Sequence, residues 1–164
     1  MVGAFFFGLK TDFYGRGLNM LKLTKKVEYG LMAMIHMDGL PPGELATARE
    51  MSERYSIPAE LLGKILQALV RADLVASVQG VKGGYRLIRT LERITVGEVV
   101  EIVDGPVHLS CCQDDPASCG QFDTCNIKKP VLEMQKQLVD YMHSLPLASF
   151  RKHVVGDKIA MEAG

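Results

Sequence analysis

The sequence predicts a mainly α-helical fold with one small β-hairpin: a winged helix-turn-helix domain followed by a long C-terminal dimerisation helix. Three observations predict it. Two helical patterns meet at a tight link around Tyr55–Ile57, as in a helix-turn-helix. A glycine-rich hairpin pattern follows directly, in the position of a wing. Near the C-terminus, Val131, Met134, Leu138, Tyr141 and Leu145 recur at alternating three- and four-residue steps, the a/d spacing that suits a partner helix.

Each element has its own signal. Val27, Leu31, Met34 and Ile35 form the apolar stripe of a first helix within residues 24–37. "GLPPGE" breaks that pattern with its prolines and glycines. "TARE" (Thr47–Glu50) is a capping box that opens a short second helix carrying Met51 and Tyr55. Pro58 suits the first turn of a third helix running to Arg71, with Leu61, Leu62, Ile65, Leu66, Leu69 and Val70 on its buried face. Strands are expected at 74–78 and 85–88, turned by Gly80, Gly83 and Gly84. "TVGE" (Thr95–Glu98) is a second capping box, opening a helix through Val103 that "DGP" ends. The last helix is expected at about 126–145, with Pro130 tolerated near its start.

These elements divide the chain into residues 20–93, the winged domain, and 94–150, a cysteine loop with dimerisation helices. Residues 1–19 are expected to be a flexible extension or an upstream start, and 151–164 a flexible tail. Phe5–Phe7 lack the basic flank and cleavage site of a signal peptide. No apolar run approaches the ~20 residues that span a bilayer. A cytoplasmic protein without a membrane partner is therefore expected.

Nineteen Lys and Arg balance nineteen Asp and Glu, so global charge names no partner. Local charge is more informative. Residues 77–90 contain Lys82, Arg86 and Arg89 and no acid, which can form a phosphate-binding patch. On the third helix Glu60, Gly63, Lys64, Gln67 and Arg71 fall at i, i+3, i+4, i+7 and i+11, one outward stripe. Such a stripe can enter a major groove, with Lys64 and Gln67 at base edges and Arg71 at phosphate. The wing adds Gln79, Lys82 and Arg86, and the amides of Gly83 and Gly84 as phosphate donors. A solvated face is the simpler reading of a charged stripe alone; helix-turn-helix, basic wing and dimer helix together favour double-stranded DNA. A two-fold dimer then implies a pseudo-palindromic operator.

All four cysteines lie within "SCCQDDPASCGQFDTC" (Ser110–Cys125). A reduced thiol packs well in a core, so clustering in one loop points to sulfur chemistry. Cys112, Cys119 and Cys125 are too widely spaced for a zinc knuckle and unlike a short ferredoxin run. A wide loop suits an iron–sulfur cluster, with Cys111 as the alternate to Cys112. His108, Asp114, Asp115 and Asp123 are available for a fourth position. A thiol-redox or zinc switch without a cluster is the alternative. There is no phosphate-binding glycine loop, nucleophile–base constellation or substrate-pocket signature, so neither an enzyme nor a small-molecule substrate is expected.

"LKLTKKVEYGLMAM", "IPAELLGKILQALVRADLVASVQGVKGGYRL" and "ITVGEVVEIVDGPV", followed by a three-cysteine loop, resemble the IscR/NsrR/RirA-type family of iron–sulfur transcriptional regulators over about residues 20–150. The resemblance implies a winged-helix homodimer, a cytoplasmic transcriptional regulator or repressor controlled by a cluster sensing iron, redox or nitric oxide status. It matches Cys112, Cys119 and Cys125 to the cluster cysteines. It also implies the partner subunit's Glu28 as fourth ligand, which favours a [4Fe–4S] over a [2Fe–2S] cluster. From periodicity alone Glu28 reads as a surface or capping residue. The histidine some members place after the last cysteine is Lys128 here. Gln79 stands where relatives carry a wing arginine, and Gly80-Val81-Lys82 replaces a Gly-Pro-Gly tip. Gly63 stands where one relative has a discriminating glutamate, so the target sequence does not carry over.

Overall fold

Thr24, Thr47 and Thr95 each start a helix by accepting a hydrogen bond from the backbone N–H three residues on. The distances are 3.4 Å from Val27, 3.1 Å from Glu50 and 3.2 Å from Glu98. Each cap satisfies a donor that the first turn leaves without an intrahelical partner. The helices are α1 (Lys25–Asp38), α2 (Ala48–Tyr55) and α4 (Val96–Asp104). Two more complete the set, α3 (Ala59–Arg71) and α5 (Lys128–Ser144). This computed structural model describes residues 22–110, 113 and 115–153. The segment 1–19 expected as an extension lies outside the described residues, as do Cys111, Cys112 and Asp114.

The link between α2 and α3 is built by Ser56 in the left-handed conformation (φ 52°). Ile57 donates to the Ser52 carbonyl at 3.0 Å while the Ser52 hydroxyl donates to the Ile57 carbonyl at 2.6 Å. Ile57 is thereby buried at the turn, fixing the angle between the helices. Pro58 sits one residue before the helix, as its N-cap, rather than inside it.

Strands β1 (Val75–Val78) and β2 (Gly84–Leu87) pair antiparallel, with Val75 opposite Leu87 and Val78 opposite Gly84. Ala46 exchanges two backbone hydrogen bonds with Tyr85, at 2.8 and 3.0 Å, adding a third short edge. This closeness explains Gly84, since a side chain there would lie 2.7 Å from the Ala46 carbonyl oxygen. The arrangement is the winged helix-turn-helix that the sequence predicts, with a long C-terminal helix.

Leu62, Ile65, Leu66 and Leu69 of α3, Met34 of α1, Val99 of α4 and Leu147 belong to one buried cluster. The core is therefore continuous across the boundary expected at 93/94. Residues Leu147–His153 form a 3-10 stretch, and Arg151 bonds Asp38 at 2.6 Å through both Nε and Nη2 and also pairs with Glu92. Arg151 is thus tied to the end of α1 and to Glu92. The rest of the expected tail, 154–164, lies outside the described residues.

Candidate functional site

The outward stripe of α3 is where the sequence predicts it. Glu60, Lys64, Gln67 and Arg71 are all exposed, opposite the buried leucines. Among the described residues nothing lies within 4 Å of a side chain built at Gly63, so they leave the middle of the stripe open for close approach. Lys64 pairs with Glu60 at 2.7 Å, one helical turn away. Exposed pairs of this kind contribute only ~0.3–0.5 kcal/mol, so either partner can turn to a base edge at small cost.

The wing's charges divide into two groups. Arg89 pairs with Glu98 in the first turn of α4 and is committed to the fold. Lys82 and Arg86 stay exposed. Arg86 faces away from the core-packed Tyr85 and Leu87, because adjacent strand residues point to opposite faces. Gln79 is also exposed. The Gly83 amide donates to the Gly80 carbonyl at 2.9 Å, closing the turn. The expectation that Gly83 offers a free phosphate donor is therefore corrected: its amide holds the hairpin together. Its lack of a side chain is required, because a Cβ would lie 2.4 Å from the Val78 carbonyl oxygen. Gly84 is within the β ladder opposite Val78.

The thiol loop is fastened to α5 at several points. The Leu109 amide donates to the side-chain oxygens of Gln113 (3.1 Å) and Gln135 of α5 (2.9 Å). Asp115 caps the short 3-10 turn Pro116–Ser118 by accepting from the Ala117 amide at 3.1 Å. Further along, the Lys128 ammonium lies 3.2 Å from the centre of the Phe122 ring, a cation–π contact that folds the loop against the start of α5. Cys119 and Cys125 flank this contact as free, half-buried thiols. Cysteine sulfur on a bent loop is the soft donor type that an iron–sulfur cluster takes. Among the described residues no three His, Cys, Asp or Glu side chains converge on one metal position. The third thiol, Cys112 or its alternate Cys111, lies outside the described residues.

Glu28 is in the first turn of α1, partly exposed and paired with Lys25. The long helix α5 has no buried residue, and exposes Leu132, Met134 and Tyr141, with Ile127 exposed at its N-cap. Gln113, Gln135, Phe122 and Lys128 were not legible as loop fasteners. Their partners are set by the path of the loop, which no local spacing rule encodes.

A family model described as Rrf2, iron-dependent transcriptional regulator, matches residues 23–153. The chain belongs to the Rrf2 family. As an Rrf2 member it is a DNA-binding transcriptional regulator and not an enzyme. Among solved structures, T. potens IscR is similar with a TM-score of 0.63 and 25% identity, over 88% of this chain and 94% of that one. The oxidised form of Staphylococcus aureus CymR gives 0.61 and 22%, over 80% and 97%. CymR of B. subtilis, described as the global cysteine regulator, gives 0.62 and 20%, over 82% and 98%. The two CymR structures support the shared fold alone. Among the described residues of this Rrf2 chain, no helix is long and apolar enough to cross a membrane.

Proposed function

We propose that this Rrf2 chain is a cytoplasmic homodimeric repressor whose hold on operator DNA is set by an iron–sulfur cluster responding to iron, redox or nitric oxide status. One observation carries the reading: the exposed stripe of α3 and the basic wing share a chain with a thiol loop fastened to a helix that leaves large apolar side chains exposed. The exposed Leu132, Met134 and Tyr141 of α5 support pairing with a second copy, since large apolar side chains left exposed along one helix mark an interaction surface. In this reading Glu60, Lys64 and Gln67 face base edges in a pseudo-palindromic operator. Gln79, Lys82, Arg71 and Arg86 hold the backbone, whereas Gly84, also expected there, is engaged in the β ladder.

Cys112 (or Cys111), Cys119 and Cys125 would hold the cluster together with Glu28 of the partner subunit. One carboxylate among thiolates favours [4Fe–4S] over [2Fe–2S], and makes ligation labile because oxygen is the harder donor. The bound cluster would supply a redox- and nitric-oxide-reactive centre between the subunits. Lys25 holds Glu28 by a pair that is largely exposed, so Glu28 is released at little cost. Gln135 and Lys128 transmit the state of the loop to α5, because their contacts join the two.

Anaerobic purification followed by visible absorption with iron and sulfide analysis tests this. A brown protein with iron and acid-labile sulfide is expected. A colourless protein lacking both would overturn it. A second reading, a cluster-free thiol-redox or zinc switch, is favoured by the two free half-buried thiols on one loop. It predicts oxidant-sensitive DNA binding without iron.

A further inference from the structure

Among the described residues, Gln113 Nε2 is the only buried side-chain nitrogen or oxygen that meets no hydrogen-bond partner. An unpaired buried amide donor is costly, and in a native fold it marks a redox role or a bound group. The rest of the residue is firmly held. Its backbone amide donates to the Ser110 carbonyl at 3.1 Å, a bond that spans Cys111 and Cys112 in the sequence. Its Oε1 accepts from the Leu109 amide at 3.1 Å. That contact fixes which way round the carboxamide sits, because exchanging its oxygen and nitrogen would set two N–H groups against each other.

The fold does not require this glutamine. The Leu109 amide already has an acceptor in Gln135 Oε1 at 2.9 Å, so an apolar side chain of similar shape would leave Leu109 paired. A donor kept at a cost suits an acceptor belonging to the group that the loop binds. Sulfur is the acceptor this loop concentrates. Gln113 directly follows Cys112, and Cys119 and Cys125 are free thiols farther along. A thiol sulfur is only a weak acceptor. The sulfurs of an iron–sulfur cluster and its thiolates carry negative charge, and charge-assisted hydrogen bonds are roughly twice as strong as neutral ones.

We propose that Gln113 Nε2 donates an N–H···S hydrogen bond to a sulfur of the bound cluster or of a cysteine that holds it, and so raises the reduction potential of the cluster. The inference rests on the cluster reading of the thiol loop. The reduced cluster is the more negative one, so a donor at its sulfur favours reduction, and hydrogen bonds to sulfur are among the factors that set such potentials. Gln113 is thus a positioning residue and not a ligand. Its oxygen meets the amide that Gln135 of α5 also holds, so one carboxamide joins the sulfur to the tether between loop and helix.

The experiment uses the full chain, purified anaerobically, in a redox titration followed by visible absorption and in resonance Raman spectra recorded in H2O and D2O. Gln113→Met removes the donor without adding charge. It is expected to shift the one-electron equilibrium about ten-fold towards the oxidised state, a potential lower by about 59 mV. Gln113→Glu keeps an oxygen for Leu109 and should lower the potential at least as far, because a negative charge replaces the donor. Gln135→Met loosens the same tether but leaves the donor in place, and should stay within two-fold of the wild-type equilibrium. In the wild-type protein, exchange into D2O should move the iron–sulfur stretching bands, and Gln113→Met should reduce that movement. A Gln113→Met equilibrium within two-fold of wild type overturns the proposal, even if Gln113→Glu is shifted. An equal drop in Gln135→Met overturns it too, since the tether would then account for the effect. Wild-type bands that do not move in D2O also overturn it, whether or not either variant assembles a cluster. A wild-type protein without iron and sulfide would instead count against the cluster reading itself.

Discussion

Gly97 is the position where one added carbon tests the fold most sharply. It lies in the first turn of α4, where α5 crosses it. A Cβ at this position would sit 2.8 Å from both the backbone nitrogen and Cδ2 of His143, and 2.9 Å from Cγ. Ordinary contacts begin at 3.4 Å, so α4 and α5 must separate by about 0.6 Å or the imidazole must swing away. The imidazole is itself held, with Nε2 3.2 Å from Glu101. Overpacking of this kind costs about 1–3 kcal/mol. Replacing glycine by alanine in a helix returns at most about 1 kcal/mol. The crowding wins, and Gly97→Ala should be destabilised by about 1–2 kcal/mol. In a thermal melt at fixed protein concentration this lowers Tm by roughly 3–8 °C for a domain of this size. Gly63→Ala is the internal control, because no described residue lies within 4 Å of its new methyl group. It should keep or raise Tm, by an amount corresponding to at most about 1 kcal/mol. If Gly97→Ala matched Gly63→Ala in stability, the close crossing of α5 over α4 would be refuted.

Three further outcomes follow from named contacts. Arg151→Met should cost up to about 1 kcal/mol in denaturant melts, less in 1 M salt, since Arg151 bridges Asp38 and Glu92 at a partly exposed site. Glu92 is held below the usual glutamate range, first by its own backbone amide and then by Arg151. A depressed carboxylate stabilises above its unfolded pKa and loses that contribution as pH falls, so the wild-type advantage over Arg151→Met should shrink on acidification through the glutamate range. Arg71→Ala should weaken duplex binding and reduce the salt slope by about 0.9 per lost phosphate contact, leaving sequence preference unchanged, as measured by anisotropy titrations. Glu28→Ala should retain the fold by circular dichroism but bind less iron after anaerobic purification; unchanged iron content would remove the partner carboxylate from the ligand set.

The local elements were legible because their causes are local. Thr47 and Thr95 announce their helices by a cap three residues before a glutamate, and both caps form. The face of α3 follows from its leucine spacing, and the hairpin from its glycines. The unread parts depend on contacts distant along the chain. Gly84 is demanded by Ala46, Gly97 by His143, and Arg151 joins Asp38, pairs that no spacing rule brings together. His36 is similar. It lies inside the stripe of α1, but its ring nitrogens meet the Tyr55 hydroxyl at 3.0 Å and Glu50 at 3.1 Å, locking α1 to α2. The start of α5 at Lys128 was blurred because Ile127 is its N-cap and offers no side-chain hydrogen bond. At the thiol loop the residue types were legible, whereas the fastening of Leu109 to Gln135 depends on how the loop returns to α5.

The most direct test of cluster control is the duplex affinity of one anaerobic preparation, measured before and after its cluster is removed, at one salt concentration. The account predicts a large shift; a ~100-fold change corresponds to about 2.7 kcal/mol of coupling between the thiol loop and the DNA-facing helices. Equal affinity in the two states, with the cluster shown to be present at the start, would contradict it.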